Sequence, residues 1–452
     1  MGKTLTMGET LMRRGLVLTM VLVTAAAAQQ ERAIGNFAGV GTRSMAMGGA
    51  YVGVADDFTA VFWNPAGLAQ IRQREVYVSL NRHGFDNDAS VGGISATAQV
   101  NNTQFGSLGF VLPWPVARGS FVLAAGVNRV SDFDWGLEVR GRLDSLDIKD
   151  RFRHEGGLTA TTLAAAVDVS PSVSMGLAVN IVSGEDEASN EYISVDSDDY
   201  FLERRFVYRE QFNDNYQRAF TATLGAMVRS PRDNPRLRLG LAVTTGATHE
   251  ISYTYLAPPD TAFSSVEMDP EEGGGVFTAA SEKSRGRYKL SLPLSLGIGG
   301  SYRPLPQLLL AVGFHATEWS QTEYNGTDAA QLRTNANFER QYDDVIRWHL
   351  GAEYQLPQVG VDLRAGMYSD PLPFIGPRDP ERAVDEQTNP LVSAVQDRTF
   401  LTAGAGFFLE ETVRCDLTFV RGSYEQVEGE GASRLREEAT LQRVLLGVSY
   451  RF

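Results

Sequence analysis

Few residues in this chain have the types and spacing that chemistry needs. Its five histidines, His83, His154, His249, His315 and His349, are scattered, and none stands in an HExxH or comparable metal-ligand pattern. No G-x-S-x-G elbow offers a serine nucleophile. The single cysteine, Cys415, can form neither an internal disulfide nor a multi-cysteine metal site. Gly39-x-Gly41 lacks the third glycine and the preceding strand of a nucleotide loop. The expectation is a protein that is not an enzyme, with no cofactor and no metal. A net charge of −14 argues against nucleic acid as a partner and reads as acidic loops facing water.

The elements that could position a site are of one kind. Mean hydropathy is −0.18, and no run after the N-terminus approaches the ~20 apolar residues of a spanning helix. Strands that alternate apolar and polar residues dilute the hydropathy signal, so a barrel stays open. At the N-terminus, Met12-Arg13-Arg14 precedes the apolar run Gly15–Ala28 and the polar Gln29-Gln30-Glu31. A positive start, a short apolar stretch and small residues at its exit predict a secretory signal peptide over 1–28, cleaved before Gln29.

From residue 75 the sequence divides into fourteen strand-like segments. They lie near 75–83, 104–112, 119–130, 157–168, 173–183, 217–229, 236–248, 287–302, 306–318, 345–355, 360–370, 398–409, 412–422 and 440–452, with 90–100 readable as a further strand but assigned to the first outer loop. Short connections at 113–118, 169–172, 230–235, 303–305, 356–359 and 410–411 alternate with long ones near 84–103, 131–156, 184–216, 249–286, 319–344, 371–397 and 423–439. Short turns on one side and long loops on the other are the habit of bacterial outer-membrane barrels. In the last strand Phe452, Tyr450, Val448, Leu446 and Val444 share one face, and Arg451, Ser449, Gly447 and Arg443 the other. The fold class expected is an all-β, antiparallel up-and-down transmembrane barrel over 75–452.

Residues 29–74 break the pattern. Small residues cluster at Gly39, Gly41, Ala46, Gly48, Gly49, Ala50 and Gly53, as a segment threaded through a narrow space requires. Asp57 can cap a short helix over Phe58–Phe62, and Asn64 followed by Pro65 starts a second turn through Ala66-Gly67-Leu68. Compact turns ahead of a barrel suggest a hatch plugging its lumen.

Here a resemblance becomes specific. Arg43-Ser44-Met45-Ala46-Met47-Gly48-Gly49-Ala50, then Ala55-Asp56-Asp57, then Trp63-Asn64-Pro65-Ala66-Gly67-Leu68 resemble the N-terminal hatch of the FadL/TodX family, outer-membrane transporters of long-chain fatty acids and aromatic hydrocarbons. Leu292-Pro293-Leu294, Glu318-Trp319-Ser320, His349-Leu350-Gly351-Ala352-Glu353-Tyr354, Leu363-Arg364-Ala365-Gly366 and Leu401-Thr402-Ala403-Gly404 look like further family features. The resemblance implies a fourteen-stranded barrel, typically monomeric, with the hatch in its lumen. It implies passive movement of a hydrophobic ligand from outer-membrane lipid or water into a pocket above the hatch, and lateral release at a kinked third strand, for which Asn128-Arg129 is the expected place. A fatty-acid carboxylate would need a cation, and Arg129, Arg347 and Arg364 are the lumen candidates; ordinary polar lining is their other reading. The terminal strand with Tyr450 and Phe452 resembles the signal read by the barrel assembly machinery. An alternative is a PorV-like barrel, which shares a Trp-Asn-Pro-Ala motif and serves as a secretion-system or surface interaction component.

Overall fold

A computed structural model describes residues 32–91, 94–116, 118–143, 145–230, 236–258, 263–270, 274–325, 335–336, 342–373, 392–410, 412–428 and 435–452. The expected signal peptide, 1–28, lies outside the described residues. Fourteen antiparallel strands close on themselves. They are β1 (Glu75–Val91), β2 (Ile94–Trp114), β3 (Phe121–Asp132), β4 (Leu146–Ser170), β5 (Val173–Asp196) and β6 (Glu203–Ser230), then β7 (Leu237–Thr244, resuming as Ala247–Ala257) and β8 (Glu282–Leu292, resuming as Ser295–Leu305). The circuit continues with β9 (Leu308–Thr317), β10 (Val345–Leu356), β11 (Val361–Ser369), β12 (Val392–Leu409), β13 (Val413–Glu428) and β14 (Leu435–Arg451). β14 returns to pair with β1 from Glu75↔Arg451 to Val91↔Leu435, which closes the sheet into a barrel.

Alternation decides which face of each strand meets lipid. Met175, Leu177 and Val179 of β5 are exposed, while Ser174, Ala178 and Asn180 at the alternate positions are buried. On β14 Leu446, Val448 and Tyr450 face out and Ser449 faces in, as the sequence predicts, and Phe452 just past its end is exposed too. Tyr450 and Phe452 stack at 5.3 Å. Leu445 also faces in, where it packs against the N-terminal segment.

The structure corrects the outer connections. β1 and β2 remain paired to Val91↔Ile94, so residues 90–100 are largely strand rather than loop. β5 and β6 likewise pair out to Val195↔Arg205, and β6 runs for 28 residues, far past the ~9–11 needed to cross a membrane. Hairpins standing in water carry polar residues on both faces, as at Asn101–Gln104 and Glu185–Glu187, which hides them from a search for apolar alternation.

Residues 41–71 fill the barrel interior. They form α1 (Thr42–Ala46), α2 (Ala60–Trp63) and a 3₁₀ turn (Pro65–Gln70), with Met45, Tyr51, Phe58, Trp63 and Leu68 essentially inaccessible. The wall receives them with missing side chains. A Cβ on Gly109 of β2 would strike the Phe58 ring, and one on Gly176 of β5 the backbone between Pro65 and Ala66. Gly240 of β7 would strike the Val52 carbonyl, Gly351 of β10 the Met47 carbonyl and Gly366 of β11 the Gly48 amide. Several of these glycines are cross-strand partners, Gly109 with Gly126 and Gly351 with Gly366 among them, so they form a recessed band around the lumen.

Candidate functional site

The inner segment is fixed by caps, then by charge. Asn64 Oδ1 accepts the Ala66 amide at 3.1 Å ahead of Pro65, which starts the 3₁₀ turn. Its Nδ2 donates to Val52 O at 2.9 Å and to Ala226 O of β6 at 3.1 Å, so one side chain ties two inner turns to the wall. Asp57 Oδ1 accepts the amide and the hydroxyl of Thr59, just ahead of α2, at 2.9 and 2.6 Å. Gly48 and Gly49 hold φ of +63° and +72°, the left-handed turn that glycine permits. Within α1, the Ser44 hydroxyl donates back to Gly41 O at 3.0 Å.

At the end of the lumen nearest the short turns, Arg43 donates to both oxygens of Glu353 at 2.7 and 2.9 Å, to Tyr51 Oη at 2.8 Å and to Asp56. Glu353 is shared with Arg364 at 2.7 Å, and Arg364 reaches Asp416 at 2.7 Å. Arg238 of β7 supports Asp56 at 3.3 Å. Burial raises the Asp56 carboxyl, but the Arg43 and Arg238 guanidinia outweigh it and hold it at about 2. Arg364 is thus committed to carboxylates beneath the inner segment, not turned to a ligand space.

The other end differs. The β2–β3 ladder runs from Trp114↔Phe121 only to Ser107↔Asn128. Beyond it β2 stays paired with β1, and β3 follows β4 with a bulge between Arg129 and Ser131. Among the described residues one bridge, Ala96↔Val139, rejoins the two sides farther out, through the short strand Trp135–Leu143. Side chains alone span the interval: Asn102 Nδ2 and Gln104 Nε2 of β2 donate to Asp134 Oδ2 at 3.0 and 2.6 Å. Burial, then the neighbouring Asp132, pushes the Asp134 carboxyl up to about 6.

A cavity of about 90 Å³ lies inside this break. Phe133 and Trp135 line it from the broken side, Phe85 and Leu441 from β1 and β14, and Ile34 and Phe37 from the start of the inner segment. Its polar lining includes Arg398, Arg443, Asp132 and Asp370. Arg347 does not line it: its Nε donates to Asp370 at 2.6 Å and its guanidinium covers Phe37 at 5.2 Å. Arg129 sits at the bulge, bonded to Gly156 O and 3.3 Å from Asp132. The three arginines picked from sequence therefore surround the cavity or lie below it, and Arg398 and Arg443 face it. Both could have been found by counting: Arg443 shares the inward face of β14, and Arg398 has the parity opposite to the exposed Leu401.

A closed fourteen-strand barrel, a filled lumen and a break beside the third strand are a restrictive combination. Residues 17–452 match the family described as outer membrane protein transport protein (OMPP1/FadL/TodX). The chain belongs to this family. Its location is therefore the outer membrane. Among solved structures, the Pseudomonas putida toluene transporter TodX is similar with a TM-score of 0.60 at 14% identity, over 93% of this chain and all of that one. A Pseudomonas aeruginosa FadL homologue follows at 0.59 and 17%, over 92% and 100%, and the Ralstonia pickettii toluene transporter TbuX at 0.55 and 15%, over 92% and 99%. At such identities these likenesses establish the fold. No curated protein sequence matches the chain significantly.

Proposed function

We propose that this OMPP1/FadL/TodX member carries hydrophobic small molecules, aromatic hydrocarbons or long-chain fatty acids, through the cavity and releases them sideways between β2 and β3. One observation carries the reading: Asp132–Trp135 both end the pairing of β3 and line the cavity, so pocket and break share an edge. A lateral path suits an apolar cargo, which gains ~25 cal/mol for each Å² taken from water and gains nothing from a wet pore. The inner segment serves as the hatch that shuts the axial route. The cavity's ≈ 90 Å³ is smaller than a ~150 Å³ cavity known to hold benzene, so the lining has to open further to admit cargo. The Nε groups of Arg398 and Arg443 are buried without hydrogen-bond partners and are the cations for an acid head group. Tyr450 and Phe452, stacked and exposed, serve as the assembly signal.

The test is purification from native outer membranes in mild detergent, with mass spectrometry of organic-extractable molecules. A stoichiometric fatty acid or hydrocarbon, lost in Phe85→Asp and Leu441→Asp, supports transport and names the cargo. A reproducible protein partner with no bound apolar molecule would replace this reading with a surface interaction role.

A further inference from the structure

We propose that His83, Asp132 and Asp134 bind one divalent transition-metal ion that staples β1 to the end of β3 across the break in the wall. One ligand atom from each residue lies within 4.8 Å of the others, and all three side chains line the same cavity. His83 Nδ1 stands 3.4 Å from Asp132 Oδ2, long for a hydrogen bond. It equals the edge of a tetrahedron whose metal–ligand bonds are ~2.1 Å. The His83 ring is 4% exposed, so an ion held there would be shielded from bulk water.

The remaining contacts leave room for the ion. On Asp132, Oδ1 takes the bonds from Arg129 and from the Asp134 amide, at 3.3 Å each, and Oδ2 is left to face His83. Asp134 Oδ1 accepts the Gly156 amide at 3.2 Å, and its Oδ2 accepts the Asn102 and Gln104 amides. Either amide can turn over and present its carbonyl oxygen instead. Two carboxylates and a neutral imidazole match a +2 ion, and one nitrogen among oxygens suits zinc, cobalt or manganese better than the all-oxygen shell of calcium. Because His83 pairs with Asn102 on the intact side of the break, an ion here joins the two sides that no backbone ladder joins.

The test uses the full chain in detergent, stripped with a chelator and freed of apolar ligand, so that its result is independent of the transport reading. Zinc is titrated calorimetrically, and cobalt by its visible absorption. One equivalent of zinc should bind, and His83→Ala and Asp132→Asn should each weaken it at least ten-fold while the heat-modifiable gel mobility of a folded barrel is retained. Should a variant fail to fold, the cobalt spectrum of the unaltered chain decides, with intense four-coordinate bands expected. Absence of saturable binding to the unaltered barrel, wild-type affinity in folded His83→Ala, or a spectrum of hydrated cobalt alone overturns the proposal.

Discussion

Replacing Arg43 with methionine keeps most of the side-chain volume and deletes its charge. Three interactions are lost: the two-pronged bond to Glu353, the bond to Tyr51 and the contact with Asp56. Stranding one partner of a buried ion pair costs ~3–5 kcal/mol. Neither acid is wholly stranded, since Glu353 keeps Arg364 at 2.7 Å and Asp56 keeps Arg238 at 3.3 Å. The lower end, ~3 kcal/mol, is therefore expected, and at ~1.4 kcal/mol per decade it raises the displaced population of the inner segment ~100-fold. Amide exchange followed by mass spectrometry reads this directly. Peptides covering 42–57 should lose about two decades of protection, and peptides from β5 and β6 should lose none. The depressed Asp56 carboxyl adds a pH signature. Its contribution is complete above its ordinary value of 3.8 and is lost as pH falls through about 2, so protection in the unaltered chain should be flat from pH 8 to about 4. A change under three-fold in a folded R43M barrel would refute the view that charge holds the segment in place.

The other expectations concern the wall and the turns. Gly176→Val places carbon on the backbone at Pro65 and Ala66, and heat-modifiability gels should show folded barrel falling several-fold, whereas the same change at Gly360, with nothing within 4 Å, should act only through its positive φ. Asn64→Ala removes one cap and two anchoring bonds, about 2–3 kcal/mol in sum, seen as faster exchange in 52–70. Deleting Val130 removes the bulge on β3; uptake of a labelled hydrophobic compound should fall at least ten-fold with bound ligand retained, and unchanged uptake would disprove lateral exit.

The sequence made the wall more legible than the site. Strands in the membrane announce themselves because lipid imposes one apolar face, as on β9, where Leu310, Val312 and Phe314 alternate with buried Leu309 and Ala311. The turn at Asn64-Pro65 was legible because a cap is local. The ion cluster was not, since Arg43 and Glu353 are 310 residues apart and nothing local marks them as partners. Depth was the missing variable for the arginines. Arg364 is three residues into β11, ~10 Å from its turn, and Arg398 is eleven residues from the turn end of β12, ~36 Å away at ~3.3 Å per residue. Face and depth together separate a residue under the inner segment from one at the cavity.

The glycine band has a consequence for how the molecule comes to exist. Its recesses are lined by backbone, so the segment they hold cannot be pushed past them into a finished wall without clashing along the way. The N-terminal turns must be in place while the sheet is still open. The seam between β1 and β14, joining Glu75 to Arg451 across 376 residues, is the strand pairing with the highest loop-closure cost and the natural last step. Assembly in the membrane is then a matter of wrapping, with the cork laid down before the bottle is blown around it.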